Sequence, residues 1–261
     1  MRVTVLGGAA AGGNPGSGCS GYLVQAAGTN LVIDLGPGTL PELRNHCDFR
    51  DIDAIIITHW HVDHYLDLAA FRFAAAYNPR PLERQISLYM PPGTVQLLRR
   101  FGSALPLDET DYGFFDKCFA IEEYDPELAL SIAGLTCRFH PTRHFVPCWA
   151  VRISDESHTD VGYTADTGPA AGLERFFRGV HTLIAESTEL DRDPDTVEPG
   201  HLTANEAAML ASACGAKTLV LTHMWVEYGF NNYLQRARQS FDGEILLASP
   251  GLKLSPGETM P

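Results

Sequence analysis

The segment Thr58-His59-Trp60-His61-Val62-Asp63-His64 follows directly on four apolar residues, Ala54-Ile55-Ile56-Ile57. A short isoleucine-rich run reads as a buried strand, so three imidazoles and a carboxylate stand where a strand gives way to a loop. Whatever fold the chain adopts must present that strand end as a polar rim. Neutral imidazole suits zinc and other first-row metals, and a carboxylate adds a hard oxygen ligand. The ordinary alternative is a loop that happens to be rich in histidine. The chain has ten histidines in 261 residues, but chance clustering rarely falls directly behind a buried strand. In extended backbone, side chains two apart share a face, so His59, His61 and Asp63 can converge while His64 points away. This pairs His59 with His61 at one metal position and Asp63 with His64 at a neighbouring one.

Strand-like segments come early, at 2–6, 21–26, 30–34 and 54–57, separated by turn signals such as Gly36-Pro37-Gly38. The glycine-rich stretch between Gly7 and Gly21 lacks the Gly-Lys-Ser/Thr ending of a phosphate loop, and a strand follows it. It reads as a flexible loop bordering the site. Helical spacing covers 66–77, closed by Asn78-Pro79, and a helix opening on prolines is expected over 91–101. Residues 102–128 are aromatic and acidic without clear periodicity. There Tyr112, Phe114, Phe115 and Tyr124 could wall the site or fill the core. The second half repeats the early grammar, with strands expected at 135–140, 149–153, 160–164, 182–185, 218–221 and 244–247. Helices are expected at 170–177 and 203–214. No linker composition interrupts the chain, so two packed sheets with helices outside, as one domain, is the expectation.

Three further residues follow apolar strands: His144, Asp166 and His223. Alone, each has an ordinary explanation, such as a turn aspartate in Asp-Thr-Gly-Pro. Together with the first cluster they complete a pair of sites.

That pattern, His-x-His-x-Asp-His with a distant His, Asp and His, resembles the metallo-β-lactamase superfamily from Met1 to about Leu247. The resemblance implies an α/β class, a four-layer αββα sandwich of mixed sheets, as a single hydrolase domain over residues 1–261. It implies one metal on His59, His61 and His144, a second on Asp63, His64 and His223, and Asp166 bridging both. Asp34, in Leu-Val-Ile-Asp-Leu-Gly, matches the strand-end aspartate that braces the ligand loop. The implied cofactors are two divalent ions, zinc foremost, with manganese or iron as alternatives. Two ions about 3.5–4 Å apart can share a hydroxide, whose pKa a divalent ion lowers toward roughly 7. Asp63 would orient that nucleophile.

The branch is narrower than the superfamily. β-Lactamases usually carry Arg where His64 stands and a Cys in the second site. Glyoxalase II continues into a helical domain, whereas 38 residues follow His223 here. The segments Gly200-His201-Leu202-Thr203-Ala204-Asn205-Glu206 and Lys217-Thr218-Leu219-Val220-Leu221-Thr222-His223 resemble ribonuclease Z and its smaller relatives. By that resemblance His201, paired with Glu186, approaches the scissile phosphate. A cationic imidazole there can donate a proton, and a glutamate partner raises its pKa. The same stretch also reads as a Thr203/Glu206 capping box. Ribonuclease Z grips tRNA with an arm between the third His and the bridging Asp, but only 22 positions separate His144 from Asp166. What remains resembles the short, arm-less relatives of ribonuclease Z that include bacterial cyclic-nucleotide phosphodiesterases, and that resemblance implies a small phosphodiester substrate such as a 3′,5′-cyclic nucleotide. The alternatives are tRNA 3′ processing, a lactonase or thioesterase activity, or a non-catalytic metal-binding interaction module.

Charge supports the small substrate. The formal net charge is −13, and no Lys/Arg run exceeds Arg99-Arg100, so bulk nucleic-acid binding is not expected. No apolar run approaches membrane-spanning length, and no signal segment precedes the first strand. Six scattered cysteines without a C-x-x-C pair are expected to be reduced thiols, consistent with a cytoplasmic location. Family resemblance also suggests a homodimer.

Overall fold

The computed structural model describes residues 1–105, 113–157, 159–170, 172–195 and 197–256. Its strands gather into two seven-stranded mixed sheets. The first contains β1 (Arg2–Gly7), β2 (Gly21–Ala26), β3 (Thr29–Leu35), β4 (Ala54–Ile56), β5 (Ile86–Met90) and β6 (Phe119–Glu123), side by side in that order. The second contains β7 (Leu130–Ile132), β8 (Leu135–Pro141), β9 (Trp149–Asp155), β10 (Asp160–Tyr163), β11 (Thr182–Glu186), β12 (Thr218–Thr222) and β13 (Glu244–Leu247). A last short strand, β14 (Lys253–Leu254), returns to pair with β1. Each sheet begins antiparallel and becomes parallel: β1 to β3 are hairpin-paired and β3 to β6 run parallel. Likewise β7 to β10 are antiparallel, and β10 to β13 parallel.

The two-residue period of a strand divides the apolar side chains between layers. Val24, Leu31, Ile33 and Ile56 of the first sheet meet Cys137, Val151, Ile153, Ile184 and Val220 of the second, forming the inter-sheet core. Their neighbours Leu23, Val32, Ile55 and Leu88 face the other way, under an outer layer of helices. That layer contains α1 (Thr39–His46), the single turn α2 (Val62–Tyr65), α3 (Asp67–Tyr77) and α4 (Val95–Ser103). On the second sheet, α5 (Leu173–Phe176), α6 (Ala204–Cys214) and α7 (Phe230–Ala237) cover Leu183, Ala185, Leu219 and Leu221. The result is the four-layer αββα sandwich. Helix α6 meets the sheet through Ala204, Ala207, Ala208 and Ala211, whose small side chains allow a close approach.

Several expectations shift. The helix expected over 91–101 begins at Val95, because Pro91-Pro92 closes on Gly93 at φ 81°, a left-handed turn. The helix expected at 170–177 contracts to α5, behind Gly172 at φ 96°. Strand β6 arises within the stretch that showed no periodicity, and α1 and α7 had no clear sequence signal. Phe114 and Phe115 lie in the core beneath the outer helices, and Tyr124 lies between the sheets, so these three fill the core rather than wall the site. Tyr112 lies outside the described residues. No described helix is long and apolar enough to cross a membrane.

Candidate metal centre

Strands β4, β8, β10 and β12 release the chain at one rim of the sandwich, and that rim gathers the dispersed histidines and aspartates. The two sheets are stitched there by a bridge between His59 and Cys148 and by Trp149 N–H donating to the Thr58 carbonyl at 3.3 Å. The histidine run is extended only as far as His61, at φ −110° and ψ 142°. Asp63 and His64 stand in the turn of α2, so His64 does not point away. Its ring centroid lies 4.0 Å from that of His59, and it is fully buried. The turn keeps the expected pairing while bringing both pairs to one centre.

Two groups result. Ligand-type atoms of His59, His61, His144 and Asp166 lie within 4.8 Å of one another, as do those of Asp63, His64, Asp166 and His223. Asp166 belongs to both. Its Oδ2 is 3.6 Å from His59 Nε2, 3.7 Å from His144 Nε2 and 3.6 Å from His223 Nε2. Its Oδ1 is 3.3 Å from His64 Nε2. In the first group, His61 Nδ1 is 3.0 Å from His144 Nε2. In the second, Asp63 Oδ2 is 3.1 Å from His223 Nε2.

The outward nitrogen of each of these imidazoles except His61 is held by a neighbour. His64 Nδ1 donates to Asp34 at 2.7 Å, and His144 Nδ1 donates to the Gly200 carbonyl at 2.9 Å. His59 Nδ1 lies 3.1 Å from Thr58 Oγ1, and His223 Nδ1 lies 2.7 Å from Thr188 Oγ1. Anchoring Nδ1 in this way aims Nε2 into the centre and fixes the tautomer suited to a ligand. Burial, together with the charge of the neighbouring His64, pushes His59 well below the usual imidazole pKa, which keeps its lone pair available. Burial would raise the carboxyl of Asp166, but the charges of His223 and His64 outweigh it and hold it well below the carboxylate range.

The donor set passes a direct test of fit to metal ions. Among the described residues, four buried side-chain polar atoms have no hydrogen-bond partner, and three are His59 Nε2, His64 Nε2 and Asp166 Oδ1. Leaving such buried atoms unpaired costs on the order of 1–3 kcal/mol each. Three clustered in one place, among nitrogen and oxygen donors, call for a cation.

Asp34 is the brace expected of it. Its Oδ1 accepts from Thr58 N–H at 2.8 Å, and its Oδ2 accepts from Thr58 Oγ1, His64 Nδ1 and Tyr163 Oη. Three residues with left-handed backbone but a side chain, Asp34 (φ 57°), Ala165 (φ 50°) and His223 (φ 56°), stand at the ends of β3, β10 and β12. Such conformations are unfavourable by about 1 kcal/mol or more and persist where surrounding structure enforces them.

Beside this cluster, Glu186 is saturated. Its Oε1 accepts from Thr167 N–H at 3.0 Å and His201 Nδ1 at 2.9 Å. Its Oε2 accepts from Thr188 N–H at 3.0 Å and Thr188 Oγ1 at 2.8 Å. Burial works against charge on His201, but the hydrogen bond and charge of Glu186 outweigh it and lift the imidazole to about 9. The capping box forms as expected, with Thr203 and Glu206 exchanging side-chain and backbone bonds. Thr188, which links His223, His201 and Glu186, carried no sequence signal, because a bridging hydroxyl has no characteristic spacing. The glycine-rich loop does border the cavity through Ala11. It is tied down by Ala9 N–H to the Gly18 carbonyl and Ala10 N–H to the Met224 carbonyl, both at 3.1 Å. The cavity over the cluster is about 480 Å³ and exposes Trp60, His61, Asp63, Asp166, His201 and His223.

A family model for the β-lactamase superfamily domain matches residues 29–224. The chain is 31% identical over 256 residues to YhfI of Bacillus subtilis, a probable metallo-hydrolase, spanning 96% of this chain and 98% of that one. The crystal structure of that metallo-β-lactamase fold protein superposes with a TM-score of 0.82 at 26% identity, covering 97% of this chain and 99% of the other. A ribonuclease Z of Bradyrhizobium is 29% identical over 271 residues, spanning 85% of this chain and 88% of its own length.

Proposed function

This chain belongs to the metallo-β-lactamase superfamily and is a metal-dependent hydrolase, and from that premise we propose that it is a binuclear phosphodiesterase acting on a small substrate such as a 3′,5′-cyclic nucleotide. His59, His61 and His144 would hold one ion, Asp63, His64 and His223 the other, with Asp166 shared. The imidazole-rich set suits zinc, and manganese or iron can replace it. When bound, the ions supply Lewis acidity and lower the pKa of water toward neutrality. Asp63 faces the cavity with Oδ2 directed to His223, so its carboxylate is placed to orient the attacking oxygen. His201 delivers a proton to the departing alkoxide, with Glu186 keeping the imidazole aligned and cationic.

The observation that carries the phosphodiester reading is the His201–Glu186 pair, exposed to the cavity through His201 and held on the other side by three donors from Thr167 and Thr188 to the Glu186 carboxylate. No Lys or Arg among the described residues lines that cavity, which suits one phosphate rather than a polynucleotide. A ribonuclease Z reading draws on the Bradyrhizobium relative. Against it, β9 and β10 form a hairpin between His144 and Asp166, where an arm would have to be inserted.

Zinc- or manganese-loaded protein should hydrolyse cyclic AMP, cyclic GMP and bis(p-nitrophenyl) phosphate and leave precursor tRNA uncut. Turnover of a lactone or thioester with none of these phosphodiesters would sink the proposal. His201→Ala should lower turnover of the cyclic nucleotides by about 10²-fold while metal content stays near that of the wild type. The p-nitrophenyl ester should suffer far less, because its phenolate departs without a proton. An equal loss on both substrates would remove the acid role.

A further inference from the structure

Phe145 follows His144 in the loop after β8, and its side chain is 70% exposed. It nevertheless packs against the cluster. Its ring centroid lies 5.2 Å from that of His144 and 5.8 Å from that of His201. Gly200 makes room for it, since a Cβ at that position would come within 2.5 Å of Phe145 Cζ. A side chain at position 200 would therefore force the ring out of its place beside His201. A single exposed ring is ordinary on a protein surface, but this one is seated against two imidazoles of the functional cluster and offers its open face to whatever binds there. Phe145 stands outside the lining of the cavity and reaches it through its contact with His201, and the lining itself is also aromatic. Trp60 and Tyr65 stack at 4.0 Å with an interplanar angle of 11°, and they line the cavity together with Val62, itself 54% exposed.

We infer that Phe145 is a specificity-determining residue that packs against the base of a nucleotide whose phosphate lies at the metal centre. The inference rests on the phosphodiesterase reading, which puts the departing oxygen at His201. The ribose that carries that oxygen, still bonded to phosphorus through its other ester oxygen, then lies beside the ring that stands next to His201. A flat, uncharged, polarizable face is what an aromatic ring binds well. A second phosphate would find no such match, because no Lys or Arg among the described residues lines the cavity. The ligand class is thus a nucleoside monophosphate ester, with the base as the part that Phe145 selects.

The test separates base from phosphate. Cyclic AMP and its abasic counterpart, the 3,5-cyclic phosphate of 1-deoxyribose, are compared as substrates of metal-loaded wild type, Phe145→Ala and Phe145→Trp. Binding of adenosine 5′-monophosphate and of ribose 5-phosphate is measured in parallel by titration calorimetry. Phe145→Ala should lower kcat/KM for cyclic AMP and weaken the adenosine nucleotide on the order of tenfold, the scale of one base–aromatic stack. The two baseless ligands should change less than about twofold, and Phe145→Trp should retain wild-type discrimination. Equal losses with and without the base, or no loss at all, would overturn the inference. If wild type binds the adenosine nucleotide with this base-dependent pattern yet does not turn over cyclic AMP, the phosphodiesterase reading fails and the contact stands. If wild type turns over cyclic AMP with no base-dependent effect of Phe145→Ala, the reverse holds. If it binds no adenosine nucleotide, the contact is refuted.

Discussion

Asp34 accepts from four donors on three separate segments, and only one of them, His64, is a ligand of the proposed centre. Its effect on metal must therefore pass through that imidazole and through Thr58, which precedes His59. Asp34→Asn keeps the volume but replaces one acceptor oxygen with a donor NH2, so at least one of the four contacts becomes donor against donor. Partners of this kind typically change metal affinity 10- to 100-fold. We expect Asp34→Asn to lose one equivalent of metal to a competing chelator at about a tenth or less of the concentration that strips wild type. Metal analysis after graded chelation provides the measurement, and an unchanged chelation curve would show that the brace does not act on His64. At this scale the sequence was legible wherever residue type alone carries the chemistry: seven imidazole or carboxylate groups behind apolar strands. It was silent on Thr188 and Tyr163, whose hydroxyls matter only because folding sets them beside Glu186 and Asp34.

Helix α6 carries its function at its first turn. His201 lies two residues before the cap Thr203, and the loop that follows β11 folds over it. Arg192 in that loop donates Nη2 to the His201 carbonyl at 2.7 Å, Nη1 to Glu189 at 2.6 Å, and Nη2 also to Glu206 of the capping box. Glu189 N–H donates to the Leu202 carbonyl at 3.1 Å, completing the clasp. Replacing Arg192 by Met keeps much of the apolar stem but frees the His201 carbonyl. We expect turnover of an alkyl phosphodiester to fall about three- to tenfold without loss of metal, since a misplaced group can lose that much or more. In a His201→Ala background the same substitution should add little, because coupled residues are non-additive. A full multiplicative loss in the double variant would mean that Arg192 acts elsewhere. Elements were legible where apolar period and a cap agreed, as in α6. They were obscured where glycine and proline delayed the start, as in α4, or where polar surface residues hid a helix, as in α7.

The whole molecule converts dispersed ligands into one centre by facing two similar half-chains, each antiparallel first and parallel later. Strand ends could be read locally, but their convergence across a sequence gap of 160 between Asp63 and His223 depends on the inter-sheet core. No spacing rule encodes it, which is why the pairing of early and late ligands had to come from family resemblance. Net charge is a property of the same scale, and it discriminates between the two substrate classes. At −13 the protein repels an anionic substrate over distances set by the Debye length, about 30 Å at 0.01 M salt and about 8 Å at 0.15 M. Salt therefore screens an unfavourable approach for a small monoanionic ester. With metal held saturating, kcat/KM for cyclic AMP should stay level or rise by up to about threefold between those salt concentrations. A tRNA-gripping enzyme behaves oppositely, because binding that neutralises several phosphates weakens by orders of magnitude over a comparable range as counterion release loses its advantage. The measurement is a series of initial rates at subsaturating substrate in increasing potassium chloride. A tenfold or steeper fall would show that an extended basic surface captures the substrate, and the small-phosphodiester reading would then give way to a polynucleotide one.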